Sequence, residues 1–120
     1  MTFTEVALPT LPAEALVSSV SADGTAAVVT LRGEADLFTL PVVVDVLARV
    51  VADHDGPVIV DLAQVEFIDS GTMHALERAS QFLVDHGRTL TLRSPSKAAL
   101  RILVLLDLSH LIEPDRQATA

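Results

Sequence analysis

The chain has 120 residues, half of them apolar and one fifth charged, a composition that excludes a disordered tail and suits one compact domain. Its formal net charge of −8 argues against broad attraction to nucleic acid or anionic lipid, and the absence of cysteine removes disulfides, thiol nucleophiles and thiolate metal sites. Because it lacks a basic apolar leader and any apolar run long enough to span a bilayer, we expect a cytoplasmic protein without membrane insertion.

The first half of the chain predicts an extension, two strands and a helix. Residues 1–12 contain two prolines and little periodicity, whereas the segment around Asp23 and Gly24 alternates apolar with polar residues and predicts a β-hairpin. The segment 39–56, "TLPVVVDVLARVVADHDG", places most of its large apolar residues on one helical face, with Pro41 near the first turn. We therefore expect a helix there, although valines favour strands by propensity.

The second half predicts a strand, a helix and a further strand. "PVIVDL" at 57–62 is an unbroken apolar run, typical of a strand buried on both faces of a sheet. "SGTMHALERASQFLVDHG" at 70–87 has helical apolar periodicity and closes with glycine. "RTLTLRS" at 88–94 alternates and predicts the next strand.

A third helix is predicted in "SPSKAALRILVLLDLSHLI" at 94–112, and it is apolar around nearly its whole circumference. We expect Ser94 to cap it, Pro95 to occupy its first position, and "LIEP" to form a short last strand. Such a helix is either buried on several sides or offers a surface to a partner, and full burial is difficult in so small a domain. Plain packing and a partner or homodimer contact both stay open.

Strands that alternate with helices indicate right-handed crossovers and a largely parallel sheet. We expect an α/β fold, a mixed, mostly parallel β-sheet covered by about three to four α-helices. One domain would span residues 13–115, between an N-terminal extension of residues 1–12 and a C-terminal tail of residues 116–120.

Ser70 stands where the apolar strand gives way to the second helix. A short polar side chain, from Asp69 or Ser70, would cap that helix, and capping alone could explain the serine. The same helix start has free amides and a positive dipole end, so it could stabilise a phosphate on Ser70. Asp36 follows the second strand and would either share this edge of the sheet or be an ordinary turn residue.

Catalysis and metal binding find little support in the sequence. A serine-hydrolase elbow needs glycine two positions either side of the serine, where this chain has Ile68 and Thr72. None of the four histidines has a triad-like context or a second histidine four residues away, and no glycine-rich phosphate loop is present. We expect no enzymatic activity, no cofactor and no metal site. A small esterase that uses Ser70 is the weakest hypothesis.

Three blocks of the chain resemble the STAS family, the domain of anti-sigma factor antagonists. They are "LRGEADLFTLPVVVDVL", "VIVDLAQVEFIDSGTMHAL" and "SPSKAALRILVLLDLSHLI", and the Asp-Ser pair in the second block is the specific feature. The resemblance covers residues 13 to about 113. It implies a bacterial, non-catalytic protein that regulates transcription through protein binding.

What the resemblance further implies is partner switching. In this family the unphosphorylated protein binds an anti-sigma factor that is also a serine kinase, phosphorylation of the protein breaks the complex, and a serine phosphatase resets it. Carried over by position, Ser70 is the implied phosphoacceptor. The implied partner-binding residues are Asp36, Asp69, Ser70, Gly71, Thr72 and Met73.

The chain departs from the family pattern next to this serine. The family usually follows its Asp-Ser with Ser or Thr and then Gly, whereas the order here is Ser70-Gly71-Thr72. Phosphorylation at Ser70, phosphorylation at Thr72 and loss of regulation therefore all stay open. The last would leave a STAS interaction module of a transport or signalling complex without a phosphoswitch.

Overall fold

The computed structural model describes residues 15–114, so the predicted N-terminal extension and C-terminal tail lie outside it. Within this range the chain forms β1 (Leu16–Asp23), β2 (Ala26–Ala35), α1 (Leu40–Asp53), β3 (Val58–Ile68), α2 (Ser70–Val84), β4 (Leu90–Arg93), α3 (Lys97–Leu105) and a 3-10 helix (Ser109–Leu111). None of the helices in residues 15–114 is long and apolar enough to cross a membrane.

The four strands form one mixed sheet in the order β1-β2-β3-β4. β1 and β2 form the predicted antiparallel hairpin, whereas β2, β3 and β4 run parallel. Gly24 in the hairpin turn has a φ of 62°, which glycine adopts without a steric penalty. The prediction of an α/β fold with a mixed, mostly parallel sheet and three helices is confirmed.

The helices and the sheet bury one apolar core between them. The crossovers β2-α1-β3 and β3-α2-β4 step in the same direction across the sheet, so right-handed connections bring both helices to the same face. Large side chains of this core contribute roughly 1.5–3 kcal/mol each. Its fully buried members include Val29, Leu31, Val60, Leu62 and Leu92 from the strands and Val43, Met73, Leu76, Leu83 and Leu103 from the helices.

The start of α3 differs from the prediction. Ser96, not Ser94, is the N-cap, and its hydroxyl accepts a hydrogen bond from the Ala99 N–H at 3.2 Å. Ser94 has a φ of 49° in the preceding loop, and Pro95 lies before the helix instead of at its first position. Both serines have the short polar side chain that is preferred at an N-cap. The Ser96 N–H donates to the carbonyl oxygen of Leu62 at 3.2 Å, so contact with β3 sets the helix start.

The end of the described chain also differs from the prediction, because "LIEP" does not form a regular strand. The chain makes a 3-10 turn at Ser109–Leu111 and then a single parallel bridge between Ile112 and Leu92. The Glu113 N–H donates to the carbonyl oxygen of Leu92 at 2.8 Å, so this segment pairs with β4 over one residue only.

Arg93, the last residue of β4, links two distant parts of the chain. Its Nε donates to Glu113 Oε1 at 2.5 Å and its Nη2 donates to Asp23 Oδ2 at 3.1 Å. The side chains of Arg93 and Glu113 are only 17% and 15% exposed. The hydrogen bond to Glu113, opposed by burial, raises the pKa of Arg93 above its usual value. While its carboxylate partners are ionised, charged Arg93 therefore stabilises the fold, and this contribution is lost as the pH rises through the raised pKa of Arg93.

We expect Arg93→Met to lower the free energy of unfolding by about 1–3 kcal/mol, because it leaves the half-buried Glu113 carboxylate without its partner. Chemical denaturation measures this change. Arg49→Met is the matched control, since Arg49 pairs with Asp45 on an exposed face of α1 and should change the value by less than about 1 kcal/mol. Equal losses of unfolding free energy in Arg93→Met and Arg49→Met would contradict a larger stabilisation by the Arg93–Glu113 pair.

Candidate functional site

The carboxyl ends of β2 and β3 meet at one edge of the sheet, because the two strands are parallel. Ala35 lies opposite Ile68, and the N–H of Asp69 donates to the carbonyl oxygen of Ala35 at 3.0 Å. This pairing places the loop after β2, which begins with Asp36, beside the start of α2, which begins with Ser70. We call residues 35–39 and 67–71 together the carboxyl edge.

Asp69, of the two candidate caps, is the one that caps α2. Its Oδ1 accepts a hydrogen bond from the Thr72 N–H at 2.8 Å. Ser70 is the first helical residue; it is exposed, and within residues 15–114 its hydroxyl has no hydrogen-bond partner. Ser70 therefore does not serve as the cap, and its hydroxyl is left available to solvent.

Asp36 organises the loop between β2 and α1. Its Oδ1 accepts hydrogen bonds from the N–H groups of Phe38 at 2.9 Å and Thr39 at 3.1 Å. Its own N–H donates to the Thr39 hydroxyl at 2.9 Å, and that hydroxyl donates to the carbonyl oxygen of Glu34 at the same distance. Asp36 thus has a structural role as a turn residue, and the same bonds hold its carboxylate in place at the carboxyl edge.

Three large apolar side chains are exposed at the carboxyl edge. Leu37 is 72% exposed, Phe38 70% and Phe67 49%. None of the three was predicted as a site residue, because the prediction rested on apolar periodicity, and Leu37 and Phe38 lie in a loop without it. The sequence did contain a signal, because two large apolar residues are adjacent in a short turn that contributes no side chain of theirs to the core. Exposed apolar residues grouped beside polar ones are typical of protein–protein contacts.

Two of the implied partner-binding residues lie beneath the surface. Thr72 is 1% exposed and Met73 is fully buried, so the structure does not place their side chains at the carboxyl edge surface. The Thr72 Oγ1 has no hydrogen-bond partner in the part of the chain that the structure describes. Gly71 is exposed, and a Cβ there would meet only Asp69 Oδ1 at 3.7 Å, an ordinary contact. The fold therefore does not require glycine at this position.

The histidine nearest to Ser70 along α2 is bonded to a glutamate and not to the serine. His74, one turn further along α2, has its Nδ1 3.1 Å from Glu77 Oε1, and Ser70 makes no hydrogen bond with it. In the part of the chain that the structure describes, no group of three or more histidine or acidic side chains could hold a metal ion.

Known proteins share this architecture. The family model described as "Mlab, STAS domain" matches residues 18–113. The structure of an anti-sigma factor antagonist from Mycobacterium paratuberculosis has a TM-score of 0.76 at 23% identity, covering 89% of this chain and 92% of that one.

Two structures of SpoIIAA are similar as well, one described as an anti-sigma factor antagonist and the other as a Bacillus cell fate determinant. The unphosphorylated form has a TM-score of 0.68 and the phosphorylated form, from Bacillus, 0.63, each at 14% identity over 86% of this chain. The matches cover 92% and 96% of the two SpoIIAA chains. At these identities the solved structures show a shared fold. No curated protein sequence matches the chain.

We expect Thr72→Val to raise the free energy of unfolding by about 1 kcal/mol, because it removes a buried hydroxyl that has no partner and keeps the side-chain shape. Thermal or chemical denaturation measures the change. Thr39→Val is the matched control, since it deletes a hydroxyl that bonds Glu34 and Asp36, and it should cost about 1–3 kcal/mol. A similar loss in both variants would show that the Thr72 hydroxyl has a partner.

Proposed function

The chain belongs to the STAS domain family, and from this premise we propose that it is an anti-sigma factor antagonist that works by partner switching. In its unphosphorylated form it binds an anti-sigma factor with serine kinase activity. Phosphorylation of Ser70 breaks this complex, and a serine phosphatase restores binding. The observation that carries the proposal is the exposed, unbonded Ser70 hydroxyl at the first position of α2, beside the Asp69 cap.

Accessibility favours Ser70 over Thr72 as the phosphoacceptor. A kinase must bring the hydroxyl within reach of the γ-phosphate, and the exposed Ser70 can meet this requirement without unfolding. Thr72 is 1% exposed, so its phosphorylation would require the first turn of α2 to open. A phosphate on Thr72 would also enter the core, where an unpaired charge is strongly destabilising.

The local charges explain how a phosphate could break a complex and leave the fold intact. The free amides and dipole at the start of α2 favour an anion there, which offsets the added charge in the free protein. Phosphorylation adds roughly 1.5 to 2 negative charges beside Asp36 and Asp69. At an interface, like charges brought together can cost several kcal/mol, which changes occupancy by orders of magnitude.

The surface that meets the anti-sigma factor is the carboxyl edge. We assign the apolar part of the contact to Leu37, Phe38 and Phe67, whose side chains are large and exposed. Asp36, Asp69, Ser70 and Gly71 provide the polar part, and Thr72 and Met73 support α2 from the core. A chain of net charge −8 suits a partner with a basic face.

A second candidate function is a STAS interaction module without a phosphoswitch, and an observation on α3 favours it. Ala99 and Leu103 of α3 are buried, but Leu100 is 43%, Val104 64% and Leu105 75% exposed. The helix therefore packs on one side and leaves an apolar strip on the other. In this candidate function the strip contacts a subunit of a transport or signalling complex, or a second copy of the chain.

We expect the cognate kinase to phosphorylate the wild type and Thr72→Val, but not Ser70→Ala. Ser70→Ala should change the free energy of unfolding by less than about 0.5 kcal/mol, because the hydroxyl makes no hydrogen bond with residues 15–114. Transfer of labelled phosphate and phosphosite mapping measure the outcome. Equal labelling of Ser70→Ala and the wild type would exclude Ser70 as the main acceptor.

We expect affinity purification with the wild type to recover an anti-sigma factor that Ser70→Asp fails to recover, because the aspartate adds a negative charge at the carboxyl edge. Mass spectrometry identifies the partners. Ser109→Asp is the matched control, an exposed serine at the start of the 3-10 helix, and should recover the same partners as the wild type. Identical partners for all three baits would contradict switching by charge at Ser70.

We expect Leu37→Ala to weaken binding of the anti-sigma factor by about tenfold, because it removes an exposed apolar contact at the carboxyl edge. Leu105→Ala is the matched control, since Leu105 is equally exposed on α3. Titration calorimetry with the purified partner measures both. A loss confined to Leu105→Ala would instead favour the second candidate function.

A further inference from the structure

An open groove of 440 Å³ lies between α1 and α2 on the outer surface of the helical layer. Its volume falls within the range of about 300–1,000 Å³ that is usual for small-molecule sites. Seven apolar residues and one arginine line it: Val44, Leu47, Ala48 and Val51 from α1, and Ala75, Arg78, Ala79 and Phe82 from α2. The groove is separate from the carboxyl edge and shares no residue with it.

Side-chain size explains why the groove exists. Ala48, Ala75 and Ala79 are small residues on facing sides of the two helices, so the space between the helices is not filled. Val44 and Phe82 are 52% and 51% exposed and stand at the groove as apolar walls. An apolar chain bound there would bury the exposed surfaces of these two side chains, and the free energy of binding would become more favourable in proportion to the apolar area buried.

Among residues 15–114, Arg78 is the only charged residue that lines the groove. Its side chain makes no ion pair or hydrogen bond with any residue from 15 to 114. The net charge of the chain is −8, yet none of the groove residues in the described part of the chain is a carboxylate. The Arg78 guanidinium therefore lies beside an apolar surface and has no acidic partner there. A guanidinium recognises carboxylate and phosphate groups by paired, charge-assisted hydrogen bonds.

We propose that the groove binds an anionic amphiphile, a molecule with one long alkyl chain and a carboxylate or phosphate head group. The alkyl chain lies along the three alanines between Val44 and Phe82, and the head group pairs with Arg78. Charge complementarity selects this occupant over an alkyl cation or a neutral alcohol. The site is independent of partner switching at Ser70.

Titration of the ¹⁵N-labelled full chain below micellar concentrations tests the proposal by NMR. Dodecanoate and dodecyl phosphate should shift amides of α1 and α2 along the groove, and the stronger of the two identifies the preferred head group. Dodecyltrimethylammonium and dodecanol, of equal chain length, should bind at least about tenfold more weakly. Equal binding of all four probes, or shifts scattered over the chain, would overturn the proposal.

Two variants locate the site. Arg78→Gln should weaken dodecanoate binding by about tenfold, whereas the matched control Arg101→Gln, an exposed arginine on α3, should leave it unchanged. Ala48→Phe, at an exposed position of α1, fills the groove and should abolish binding while the thermal transition stays intact. Unchanged binding in Arg78→Gln, or equal weakening in Arg101→Gln, would overturn the assignment of the head group to Arg78.

Discussion

The parallel pairing of β2 with β3 is the constraint on which the rest of the site depends. Because the two strands run in the same direction, both chains leave the sheet at the same edge, and the helices that follow begin side by side. At the ends of the paired strands, a main-chain hydrogen bond from the Asp69 N–H to the Ala35 carbonyl oxygen extends the pairing to the start of α2. Asp36 and Ser70 are 34 positions apart in the chain, and it is this pairing that brings them to the same edge of the sheet.

Adjacent residues at the start of α2 have different roles, so an exposed hydroxyl lies within a helix start that is capped and anchored by its neighbours. Asp69 satisfies a free amide of the helix, and Met73 anchors the first turn in the core. The Ser70 hydroxyl, between them, has no hydrogen-bond partner among residues 15–114. A modification of Ser70 can therefore change the surface charge while the capping and packing interactions persist.

The sequence predicted the strands and helices well where apolar periodicity was strong, as in α1 and α2, because burial on one face imposes that periodicity directly. It could not place the cap of α3, since Ser94 and Ser96 both satisfy the local rule and a contact with Leu62 decides between them. It also missed Leu37 and Phe38, because an apolar residue in a loop carries no periodic signal. The sequence also could not tell which side of α3 is buried, because both sides are apolar. The packing of neighbouring elements decides that Leu103 is buried and Leu105 is exposed.

The hydrogen bond between Asp69 and Ala35 has a dynamic consequence. It ties the hairpin to the first turn of α2, so neither segment can fray without breaking a contact of the other. Amide hydrogen exchange at Asp69 should then require the cooperative opening of both segments, at a rate far below that of an ordinary helix terminus. Under the proposed function, a partner that binds at the carboxyl edge would meet a pre-formed surface, and binding would cost little conformational entropy.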